Sequence, residues 1–86
     1  MSNKSKNYVP HGSAMVLFDN NGTYHSYPKC RPSYVSKHGK YWHKHGLRHR
    51  ENGLPAVILP NGMVEYWIDG LEMTEERAKL LKYVKV

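Results

Sequence analysis

Six histidines and one cysteine fall within the first fifty residues: His11, His25, His38, His43, His45, His49 and Cys30. These residue types hold transition metals. His43 and His45 are two apart, so on a strand they share a face, with Cα atoms roughly 7 Å apart. His38, His49 or Cys30 would supply further ligands. The spacing falls short of a complete site, because Cys30 has no second cysteine and His45-x3-His49 is half a pattern. Gly46 also predicts a turn that rotates His45 off the strand. The histidines therefore read as surface residues, with no metal site and no cofactor, and the fold is expected to hold without zinc.

Enzymatic chemistry finds less support. A hairpin-and-helix nuclease needs a histidine on the hairpin and metal ligands on the helix that follows. The segment after Thr74 offers only Glu75 and Glu76 in its first turn. There is no Ser-His-Asp pattern, no phosphate-cradling glycine loop and no usable carboxylate pair in the basic half, so the reading is not an enzyme. Binding chemistry is better represented. Arg48-His49-Arg50 beside Tyr41 and Trp42 combines cations that meet phosphate with rings that stack on bases. The competing structural reading makes Trp42 and Trp67 equivalent core residues of neighbouring hairpins, and it is preferred.

The elements that must position these residues are short. Ala14–Phe18 is an apolar run broken by Asp19-Asn20-Asn21-Gly22, and Thr23–Tyr27 follows, rich in β-formers. Asn and Gly tolerate the positive φ of a tight hairpin. The same logic predicts a hairpin over 56–68 around Pro60-Asn61-Gly62. Further turns are expected at His38-Gly39, His45-Gly46, Asn52-Gly53 and Asp69-Gly70. From Thr74 the pattern changes. A threonine N-cap, acids in the first turn, lysines later and an apolar stripe of Ala78, Leu81 and Val84 predict a helix over 74–84. The fold class is mainly β (α+β), with stacked antiparallel hairpins and one C-terminal helix. Residues 1–10 are read as a tail and 11–86 as a single domain.

Two segments align. Gly12–Tyr27 is echoed by Gly53–Trp67 if Asp19 is skipped, and Lys40–Leu47 is echoed by Glu65–Leu71 with one extra residue. One hairpin cannot bury its own apolar face, so such units must stack. The stretch Tyr41-Trp42-His43-Lys44-His45-Gly46-Leu47-Arg48-His49-Arg50-Glu51-Asn52-Gly53-Leu54-Pro55-Ala56-Val57 resembles the repeat of small phage and bacterial proteins related to MORN repeats. Its marks are an aromatic pair, a glycine turn, His49-Arg50, Gly53 and Pro55-Ala56, and they extend over about residues 39–71. In the first segment Ala14 stands where Pro55 does, and Tyr8-Val9 where His49-Arg50 does. The resemblance implies stacked hairpins and a scaffolding or partner-binding role, with no catalytic residues.

Charge places the binding face. The net charge is +6, but residues 1–50 hold nine Lys/Arg against one acid, and residues 51–86 hold four against six. A basic face suits an acidic protein, phosphate or anionic lipid. A single cysteine, no apolar run behind Met1–Asn7 and no stretch of about 18 apolar residues point to the cytoplasm. The first reading is a non-enzymatic interaction module, a small phage or prophage protein that binds and modulates a host protein. Its expected partner-binding residues are Lys40, Tyr41, Lys44, Arg48 and Arg50. The alternative is a nucleic-acid-binding accessory protein using the basic aromatic face of residues 34–50. An anionic membrane surface is the least favoured partner, and a thin core leaves room for a homo-oligomer.

Overall fold

Turn chemistry cuts the chain into short strands. In the computed structural model, which describes residues 7–26 and 30–82, the strands are β1 (Val9–His11), β2 (Ala14–Val16), β3 (Tyr34–Ser36), β4 (Gly39–Tyr41), β5 (His43–Lys44), β6 (Leu47–Arg48), β7 (Val57–Ile58), β8 (Val64–Ile68) and β9 (Leu71–Met73), followed by helix α1 (Glu75–Leu81). All pairings are antiparallel. A seven-stranded sheet runs in the order β1-β2-β3-β4-β7-β8-β9, and β5 pairs with β6 in a two-stranded sheet. The protein is thus mainly β with one C-terminal helix.

The turns behave as their residues dictate. His45 and Gly46 both have positive φ, as do Asp69 and Gly70, which is the backbone of a type I′ hairpin and matches the twist of its strands. Asp19 builds a longer turn, its Oδ1 accepting the amides of Asn21 and Thr23 at 2.9 and 3.0 Å. Thr74 caps α1 by accepting the Arg77 amide at 3.1 Å. Helix α1 buries Ala78, and a Cβ built on Gly53 would lie 3.2 Å from Lys79. The expected helix end at Val84 lies outside the described residues.

Hairpins stand in two rows. One row holds β1–β2, β3–β4 and β7–β8; the other holds the loop closed by the Phe18–Tyr24 bridge, β5–β6, and the upper part of β8 with β9. Leu17, Trp42 and Ala56 lie at the junctions, and they are buried with Ala14, Val16 and Val57. The buried serines, Ser26 and Ser33, are hydrogen-bonded there.

This arrangement revises the repeat. The Asn21-Gly22 hairpin spans 17–25, while Ala14–Val16 pairs with β1 and β3 instead; Tyr27 lies outside the described residues. The Asn61-Gly62 hairpin forms over 57–65 but belongs to the other row. The two aligned segments are therefore hairpins of different rows. Backbone bonds give the true register. Gly46 N–H donates to Tyr24 C=O as Gly70 N–H does to Arg48 C=O, and Ser26 N–H donates to His43 C=O as Arg50 N–H does to Trp67 C=O. Each of these steps is 24 positions, whereas Leu17 and Trp42, whose carbonyls accept from His25 N–H and His49 N–H, stand 25 apart because the first turn is one residue longer. His25 corresponds to His49, Trp42 to Tyr66 and His43 to Trp67. Strand β1 also begins inside the segment read as a tail. It is an edge strand, where Pro10 costs no ladder bond.

Candidate functional site

Cross-strand register decides which side chains share a face. Val16, Tyr34, Tyr41, Val57 and Glu65 are successive partners across β2, β3, β4, β7 and β8, so they project to one side. Val16 and Val57 are buried. Tyr34 and Tyr41 meet edge to face at 5.5 Å. Tyr24, from the other row, stands 5.8 Å from Tyr34 and 5.1 Å from His43, and stacks on Phe18 at 5.6 Å. The Arg48 guanidinium lies 5.2 Å from the Tyr41 ring and 5.1 Å from the Trp67 ring, a cation held between two π faces. Tyr24, Tyr34, His38, Tyr41, His43 and Arg48 line a shallow depression of about 210 Å³.

His43 sits at its base. Burial, and then the positive charge of Arg48, push its pKa down to about 4. Its Nδ1 lies 2.6 Å from Ser33 Oγ, a contact suited to a neutral imidazole accepting a hydroxyl proton. Between pH 4 and the ordinary value of 6.5, the unfolded chain binds a proton that the folded His43 refuses. Its contribution is therefore complete above pH 6.5 and lost as pH falls toward 4. Discounted for partial exposure, that loss is about 1–2 kcal/mol. Urea midpoints measured from pH 7 to 4.5 are expected to fall accordingly, and His43→Gln is expected to flatten the slope. The Ser33–His43 pair offers no nucleophile, because Ser33 is fully buried.

The expected partner-binding residues do not all meet. Tyr41 and Arg48 come together in this depression. Lys40 pairs with Val35 and Ile58, and strand alternation sends it to the opposite face from Tyr41. Lys44 binds Asp69 at 2.8 Å. Arg50 lies 3.9 Å from the Trp42 ring and donates to Pro55 C=O at 3.1 Å, so it serves the fold. Lys44 and Arg50 line a second depression of about 240 Å³ with His25, Cys30, His43 and His49.

The histidines also divide. The turn that Gly46 predicts takes His45, with φ 48°, off the strand of His43. Donor atoms of His45 come within 4.8 Å of those of His25 and Asp19, neither of which sequence spacing had offered as ligands. One ring nitrogen of each histidine and the Asp19 carboxylate already serve the fold. His25 Nδ1 accepts the His45 amide at 2.9 Å, as His49 Nδ1 accepts the Asp69 amide at 2.8 Å one unit later. The Asp19 carboxylate receives the amides of Asn21 and Thr23, the Thr23 hydroxyl at 2.6 Å, and His45 Nδ1 at 2.8 Å. These bonds hold its pKa well below the usual carboxylate range. The 24-residue period is the signal that would have found the His25–His49 equivalence. Among the described residues, no helix is long and apolar enough to cross a membrane. No family model, curated protein or solved structure matches the chain.

Proposed function

We propose that this protein is a non-enzymatic interaction module, of phage or prophage origin, that binds and modulates a host protein in the cytoplasm. The binding face is the one built by Tyr24, Tyr34, Tyr41, Arg48 and Trp67. One observation carries the reading: half-buried rings and a guanidinium held between two of them surround a shallow depression. Tyr, Trp and Arg in partly desolvated pockets are the residues that anchor protein interfaces. Their contacts with one another restrain these side chains before binding, so less entropy is lost on binding. The phage assignment draws support from the likeness of residues 39–71 to phage and bacterial MORN-like repeats. A nucleic-acid partner is less favoured, because Arg48 lies 3.8 Å from Glu65, while Lys44 and Arg50 line the other depression and Lys44 is paired with Asp69.

Affinity capture with tagged protein, with and without nuclease, tests the reading. A defined protein is expected to stay bound after nuclease treatment. Arg48→Glu should lower its capture by more than about fivefold, or ~1 kcal/mol, while Lys82→Glu leaves it unchanged. Loss of all capture on nuclease treatment, with steep salt dependence, would move the function to nucleic acid.

A further inference from the structure

Each hairpin of the short row receives its neighbour through the same contacts. The side chain of Thr23 covers the turn glycine Gly46, and that of Leu47 covers Gly70. A Cβ built on those glycines would lie 3.4 Å from Thr23 Cβ and 3.1 Å from Leu47 Cδ2. The next residue accepts the glycine amide on its carbonyl, Tyr24 from Gly46 at 2.7 Å and Arg48 from Gly70 at 2.9 Å. One period later the same surface recurs without an occupant among the described residues. Leu71, the counterpart of Thr23 and Leu47, is 65% exposed. Glu72, opposite Trp67 beyond a two-residue turn, directs its backbone away from β8 as Arg48 does from β5. The other row ends on helix α1 packed against β8, with the start of that strand left open. Lys40 pairs outward with Ile58, whereas its counterpart Val64, 41% exposed, pairs only inward.

We propose that this end of the stack is a docking edge for a β-hairpin from another protein. The partner hairpin carries an Xaa-Gly type I′ turn, gives its glycine N–H to the Glu72 carbonyl and packs that turn under Leu71. The internal boundaries define this chemistry, since the protein binds two such turns in the same way. A second copy is a poor occupant. Its own His45-Gly46 and Asp69-Gly70 turns are already covered, its open turns at Asn21-Gly22 and Asn61-Gly62 have positive φ only at the glycine and so are not type I′, and pairing β9 with β9 sets Glu72 against Glu72. A cationic strand facing Glu72 fits better. This edge is separate from the tyrosine–arginine depression, and the inference stands without it.

A backbone-cyclised peptide copying residues 41–50, with its His45-Gly46 turn and basic residues, is the probe. Titrated into the isotopically labelled protein, it is expected to shift the amide resonances of residues 70–74 saturably, with a dissociation constant below about 1 mM. N-methylation of the peptide's turn glycine should weaken binding more than about fivefold. Leu71→Lys and Glu72→Lys should each do the same with unchanged unfolding midpoints, both side chains being exposed. Absence of saturation at about 1 mM, equal binding of the N-methylated peptide, or shifts centred on Tyr24, Tyr41 and Arg48 would overturn the proposal.

Discussion

Trp42→Ala is expected to destabilise the protein by about 3–5 kcal/mol, the range for emptying a buried aromatic site. Trp67→Ala should cost about 1–2 kcal/mol. The two residues look alike in the sequence, each following a tyrosine. The structure separates them. Trp42 is 4% exposed, gives its indole N–H to Cys30 C=O at 3.2 Å, and lies under the Arg50 guanidinium. Its backbone joins two units, donating to Ala56 C=O at 2.8 Å and accepting from His49 N–H at 3.1 Å. Trp67 is half-buried, with its indole on Glu65 at 2.9 Å and one face toward Arg48. For a domain whose whole stability is on the order of 5 kcal/mol, Trp42→Ala is expected to leave roughly 0–2 kcal/mol, a variant marginally folded at room temperature. Urea unfolding followed by circular dichroism measures both variants. Equal losses would mean that the indoles are interchangeable and the 24-residue register is wrong.

That register shows where sequence reading succeeds and where it stops. The turns were legible because positive φ favours glycine and asparagine, and the helix start because Thr74, Glu75 and Glu76 are cap and dipole residues. Fold class followed from their density. Row membership was not legible. Strands of two to five residues carry too few alternations to reveal a face, and Asn21-Gly22 and Asn61-Gly62 look equivalent although they close hairpins in different rows. Skipping Asp19 made that alignment work; in the structure Asp19 is the residue that builds its turn. The candidate site was half legible for the same reason. Tyr41 and Arg48 were identified, but Lys40 leaves the face by strand alternation. Tyr24 and Tyr34 join it from positions that no local pattern connects to Arg48.

Gly39→Ala is expected to cost about 3–5 kcal/mol, the sum of backbone strain and overpacking, and to loosen the face that Tyr41 occupies. Gly39 is buried with φ 134°, and a Cβ there would stand 2.8 Å from the Ile58 carbonyl oxygen. That oxygen is backbone, so relief requires β4 and β7 to part. Lys40 pairs with Ile58 and Tyr41 with Val57 along this seam. Widening it moves the Tyr41 ring relative to Arg48, whose other π contact, Trp67, lies on β8 beyond the seam. Gly62→Ala is the control. Its φ is 90°, and a Cβ would meet nothing within 4 Å, so it pays only the left-handed backbone strain of about 1–2 kcal/mol. Gly39→Ala should therefore lower the thermal midpoint by more than about 10 °C and Gly62→Ala by less. Partner capture by the remaining folded protein should fall for Gly39→Ala and hold for Gly62→Ala. If both variants melt together and bind alike, the β4–β7 seam is not what holds the tyrosine–arginine face in place.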